Sequence, residues 1–136
     1  MTRAVIDTSA LLALASSRDQ YHTRAVEADR HFRAAGGRWI STTLVLAELH
    51  GHLLKRLDPG TARQVIDALL GDPLFEWHDA SVDIVQGAIA RWMNRYADQH
   101  FSLTDAVSFE LMRREKVTRA FAYDGDFTTA GFQLIG

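Results

Sequence analysis

The chain contains no cysteine, which excludes disulfide bridges, thiol nucleophiles and zinc–thiolate sites. Any metal site must therefore use carboxylates, histidine or backbone oxygen, a donor set that suits Mg²⁺ or Mn²⁺. Only two prolines occur, in Asp58-Pro59-Gly60 and Asp72-Pro73, where they read as stops after helical patterns. No apolar run approaches the roughly 18 residues needed to cross a bilayer. The start, Met1-Thr2-Arg3-Ala4-Val5-Ile6-Asp7, lacks the longer apolar core of a signal peptide, so a cytoplasmic protein is expected. Lysine is almost missing: thirteen of the fifteen basic residues are Arg. The net charge of −2 does not advertise nucleic-acid binding. Arginine nevertheless grips phosphate in a bidentate way that lysine cannot, and a basic rim around an acidic centre gives the same near-neutral total.

What is present is enough for a core. The 136 residues, 47% of them hydrophobic, fit one domain over 1–136. Residues 3–7 read as a buried strand, with Thr8 or Ser9 capping a helix behind it. A polar-faced helix over 20–35 stops at Gly36-Gly37. A short strand at Trp39-Ile40-Ser41 leads into a helix from Thr42-Thr43 to about Leu57, and a further helix covers about Thr61 to Leu70. Leu74–His78 alternates like a strand, 81–97 has helical spacing, and 103–115 is a strongly apolar helix. Thr118–Tyr123 and Phe132–Ile135 read as strands around a turn at Asp124-Gly125-Asp126. Strands alternating with helices predict a parallel sheet covered on both faces, with ligands bound beyond the carboxyl ends of the strands.

Four acids stand against apolar runs. Asp7 closes Ala4-Val5-Ile6, Glu48 interrupts Leu44–Leu49, Asp105 opens the helix at Ser102-Leu103-Thr104-Asp105, and Asp124 follows Phe121-Ala122-Tyr123. Each has an ordinary explanation: a helix cap for Asp7, a solvated helix face for Glu48, a capping box with Ser102 for Asp105, a turn for Asp124. A carboxylate beside a buried segment is costly unless something neutralises it, and four of them point to a shared divalent cation.

The motifs Val5-Ile6-Asp7-Thr8-Ser9-Ala10, Thr43–Leu49 around Glu48, Leu103-Thr104-Asp105-Ala106 and Asp124-Gly125-Asp126-Phe127 together resemble the PIN-domain ribonucleases, of the VapC type that serves as toxin in VapBC toxin–antitoxin pairs. The resemblance implies an α/β/α sandwich with a central parallel sheet. It also implies Mg²⁺ or Mn²⁺ at Asp7, Glu48, Asp105 and Asp124, which would form the catalytic set, with Asp126 at its edge. Thr8 or Ser9 matches the hydroxyl that supports the first acid. The family often has Thr two residues before the fourth acid, and here that position is Ala122. The stretches 101–109 and 120–127 are similar to a subgroup whose target is the sarcin–ricin loop of large ribosomal RNA, while other members cut tRNA. A small VapB-type antitoxin and a homodimer are further implications.

An RNA substrate needs a basic rim. Arg91 and Arg95, one turn apart, and Arg113, Arg114, Lys116 and Arg119 are the candidates, and solvated helix faces are the ordinary alternative for each. Trp39, Trp77 and Trp92 are of the type that stacks on unpaired bases, but core packing is the expected role for all three. A phosphatase with Asp7 as nucleophile would want a second Asp where Ser9 stands. A catalytically inactive PIN-like module that binds RNA or protein would not need all four acids.

Overall fold

The computed structural model describes residues 2–136. Five strands form one sheet in the order β3-β2-β1-β4-β5: β1 Arg3–Ile6, β2 Arg38–Thr42, β3 Phe75–His78, β4 Arg119–Phe121 and β5 Gln133–Ile135. Every pairing is parallel. The helices are α1 Thr8–Ala15, α2 His22–Ala34, α3 Thr43–Arg56, α4 Pro59–Gly71, α5 Val82–Ala88, α6 Leu103–Glu115 and α7 Asp126–Thr129. The expected three-layer α/β/α sandwich is what forms.

Side chains that alternate along each strand divide the interior into two cores. Ala4, Ile6, Trp39 and Phe121 face a layer built by Leu11 and Leu12 of α1, Phe32 of α2, Val45, Leu49 and Leu53 of α3 and Ala62 of α4. Val5, Ile40 and Ala120 face the other way, onto Ile84 of α5, Val107, Phe109 and Met112 of α6 and Phe127 of α7. The chain thus moves outward from β1 to β3 over one face. It then crosses the other face through α5 and α6 to start again at β4, beside β1. The carboxyl ends of β1 and β4 lie at this reversal, the crevice in which open α/β sheets bind ligands.

Of the three caps open to α1, Asp7 takes the role: it has the extended conformation before the helix (φ −96°, ψ 165°), and its side chain accepts from the Ser9 N–H. Local chemistry departs from the sequence reading at three places. Asp58-Pro59-Gly60 starts a helix as well as ending one: Asp58 caps α4 by accepting from the Thr61 N–H at 2.8 Å, and Pro59 fills the first turn, where its missing N–H costs nothing. The helical spacing over 81–97 is broken, with α5 passing into a π-helical turn over Ile89–Met93. Asp126 opens α7 and is not simply part of a turn. Thr42 and Ser102 cap α3 and α6 as their positions predict, each contributing about 1 kcal/mol.

Candidate metal centre

Three sequence-distant acids meet in the crevice. Carboxylate oxygens of Asp7, Asp105 and Asp124 all lie within 4.8 Å of one another. Asp7 is delivered by β1, whose end is fixed when the Asp7 N–H donates to the Phe121 carbonyl of β4 at 3.0 Å. Asp105 is held in the first turn of α6, because its N–H donates to the Ser102 hydroxyl at 3.0 Å. The capping box is only half used, for the Asp105 carboxylate turns toward Asp7 and Asp124. Asp124 follows β4 and accepts from the Asp126 N–H at 3.0 Å.

One hydroxyl ties two of these segments together. Ser9 Oγ donates to Asp7 Oδ2 at 3.0 Å and accepts from the Tyr123 N–H at 2.9 Å. A rotation of Asp7 is therefore coupled to the residue next to Asp124. Of the two hydroxyls expected to support Asp7, Ser9 makes the hydrogen bond. Thr8 Oγ1 is buried without a hydrogen-bond partner.

The electrostatics are those of a cluster that lacks a counter-charge. Asp7 is almost wholly buried, and burial followed by the charge of Asp124 pushes its carboxyl up to about 7. Burial, the Asp7 charge and a hydrogen bond with Asp126 push Asp105 up to about 8. Asp7 Oδ1 is buried with no hydrogen-bond partner. An orphaned carboxylate oxygen inside a converging set of hard oxygen donors fits a divalent cation, whose charge would reverse the cost of ionising the set.

The remaining expected members lie at different distances from this set. Glu48 is half-buried on α3, a helix packed against both α1 and α6, and it stands outside the close triad. Asp126 reaches Asp105 but is likewise not one of the three. The structure does not bring Arg91, Arg95, Arg113, Arg114 or Lys116 to the acids. Arg113 and Arg114 close α6, about 12 Å along its axis from Asp105, and Lys116 caps its end. Arg91, Arg113 and Arg114 all pair with Glu110, at 3.4, 2.8 and 2.8 Å. Arg119 stands at the amino end of β4, the opposite end of that strand from Asp124.

Glu110 is the charged residue that sequence reasoning misses. It is fully buried, and the Trp92 indole also donates to it at 3.2 Å. Burial works against its ionisation, but hydrogen bonds from Arg113, Arg114 and Trp92 outweigh it and hold the carboxyl down at about 2. The available signal is the spacing Glu110, Arg113, Arg114, which puts both guanidiniums on its own helix face. A second cluster of donors, Glu76, His78 and Glu115, is already compensated, because the Arg3 guanidinium donates to Glu76 at 3.0 Å and to Glu115 at 2.9 Å.

Known proteins share this fold. The PIN domain pattern matches residues 4–133. A stretch of 41 residues is 44% identical to the 23S rRNA-specific endonuclease VapC20 of Mycobacterium tuberculosis, covering 30% of this chain and 31% of that protein's length. The crystal structure of the same VapC20, a sarcin–ricin loop cleaving toxin, superposes with a TM-score of 0.82 at 27% identity over 95% of each chain. The VapBC2 structure from Rickettsia felis, bound to a promoter DNA fragment, aligns with a TM-score of 0.69 at 14% identity over 98% of this chain and 97% of that one, a likeness of fold.

Proposed function

The chain belongs to the PIN-domain family, and from that premise we propose that it is a metal-dependent endoribonuclease, the toxin of a type II toxin–antitoxin pair, acting on the sarcin–ricin loop of large ribosomal RNA. The observation that carries the reading is the convergence of Asp7, Asp105 and Asp124 within 4.8 Å around an unpartnered buried oxygen of Asp7. Relatedness to VapC20 supports ribosomal RNA over tRNA as the target. Residues 1–136 act as one PIN unit, working in the cytoplasm as a homodimer restrained by a VapB-type antitoxin.

Asp7, Asp105 and Asp124 would hold Mg²⁺ or Mn²⁺. When bound, the ion supplies positive charge for the scissile phosphate and a more acidic water. Ser9 keeps Asp7 Oδ2 in one orientation, and Oδ1, which has no hydrogen-bond partner, would be available to the ion. Glu48, outside the close set, receives the proton of the attacking water at its carboxylate. Asp126 fixes the turn that presents Asp124 through its N–H, and its carboxylate stands at the edge of the site.

The test is incubation of the protein with total bacterial RNA in Mg²⁺ or Mn²⁺, with and without EDTA, followed by mapping of new 5′ ends. The expected result is one EDTA-sensitive cut in the sarcin–ricin loop. Cuts confined to tRNA would move the substrate, and intact RNA under every metal condition would sink the nuclease reading.

A further inference from the structure

The far end of α6 carries a second charged region, quite unlike the acidic one. A hollow of about 380 Å³ opens there between the π-helical turn, the end of α6 and the start of β5. Arg91, Arg95, Arg113 and Lys116 supply its charge, and Trp92 and Phe132 its aromatic surface. The two rings lie 5.6 Å apart, centroid to centroid. No acid lines the hollow. Glu110 is shared by Arg91, Arg113 and Arg114, and Asp83 pairs with Arg114. Arg95 and Lys116 bring two further cations to the hollow. Arg95 packs over Tyr96 at 5.8 Å.

Lys116 adds an independent observation. It caps α6 in the left-handed region, with φ 56° and ψ 41°, and no other non-glycine residue among those described has positive φ. Glycine is the usual residue at such a cap, since a side chain there is strained. The helix dipole accounts for cations in the last turn. It does not account for an exposed lysine kept where glycine is easier, nor for aromatic rings beside it. Strain retained at one position marks a site where the side chain is needed.

We propose that this hollow is a second RNA-binding surface, which takes phosphates of the substrate on Arg95 and Lys116 and an unpaired base against Trp92 and Phe132. Planar guanidiniums beside aromatic faces recognise unpaired nucleotides by charge and stacking together. The proposal rests on RNA being the substrate. The hollow lies more than two helical turns from Asp105, so an RNA held there is anchored away from the acids and is not repelled by them.

The test measures binding of a fluorescein-labelled sarcin–ricin stem-loop RNA by anisotropy in EDTA, where no cleavage occurs, over a range of salt. Arg95→Ala with Lys116→Gly is expected to weaken binding about tenfold. The slope of log affinity against log salt should fall by about 1.4, near 0.7 for each phosphate of an unpaired strand that is no longer neutralised. Lys116→Gly alone is expected to melt no lower than wild type, because it relieves the left-handed strain, so weaker RNA binding cannot be put down to unfolding. Unchanged affinity and slope in the folded double variant would overturn the proposal. So would loss of binding to an oligoglutamate peptide with RNA binding intact, which would make the hollow a protein-binding face. Wild type that binds the RNA in EDTA yet never cuts it in Mn²⁺ would sink the nuclease reading and leave this surface standing. Cutting with unaltered affinity in the variant would do the reverse.

Discussion

Helix α6 carries a half-buried acid and a fully buried one little more than a turn apart, and their fates are opposite. Asp105 meets other carboxylates, and burial with the Asp7 charge raises it to about 8. Glu110 meets three guanidiniums and an indole, and is held down at about 2. Burial opposes ionisation at both, so the neighbours decide the outcome. An acid surrounded by its partners is finished chemistry and serves the fold. An acid surrounded by other acids costs free energy until a cation arrives, and such a cost persists where function requires it.

The contrast is broken most severely at Asp7. Asp7→Asn removes a charge from the uncompensated set, and RNA cleavage is expected to fall at least about a hundredfold. Its melting temperature should hold or rise, since the apo protein loses a repulsion. A folded Asn variant that cuts at the wild-type rate in Mg²⁺ would show the site to be wrong. Glu110→Gln is the mirror experiment. It leaves three guanidiniums without their shared anion and should cost about 2 kcal/mol in urea unfolding, less than a fully buried pair because the arginines reach solvent. Cleavage per folded molecule should change little.

Proton linkage sharpens the same comparison. The folded carboxyls of Asp7 and Asp105 sit at about 7 and about 8, above the ordinary 3.8. Their contribution to stability is therefore complete below about pH 4 and is lost as pH rises through 7 to 8. Melting in EDTA should drop between about pH 5.5 and about pH 8.5, and added Mn²⁺ should restore more at the higher pH. Equal pH slopes for wild type and Asp7→Asn would contradict this account. The smallest effect expected is that of Ser9→Ala, which cuts the link from Asp7 to the Tyr123 N–H. Cleavage should fall about tenfold, with a stability loss of about 1 kcal/mol, read by comparing turnover with a denaturation curve.

Much of this is legible in the residues. The apolar runs ending in Asp7 and Tyr123, and the capping chemistry at Thr42 and Ser102, locate β1, β4, α3 and α6 by local physics alone. The order of the acids along those elements points to the crevice. The rest depends on partners distant in sequence. Glu110 looks like any acid on a helix until α5 and the π-helical turn close over it and deliver Arg91 and Trp92. The Arg113 and Arg114 pair reads as a basic rim for the acids, yet both turn to Glu110 on their own helix. Glu48 belongs to the same pattern as the other three acids, but helix packing keeps it outside their close set. The π-helical turn interrupts a spacing that a one-dimensional pattern shows as continuous.

The three converging acids come from positions 7, 105 and 124, and the N–H of Asp7 is secured by the carbonyl of Phe121. No shorter stretch of the chain contains the site. A fragment that ends before β4 lacks Asp124 and the carbonyl that secures Asp7. The order of the strands thus works as a delay: the three-acid centre comes into being only after synthesis has passed the last of its members.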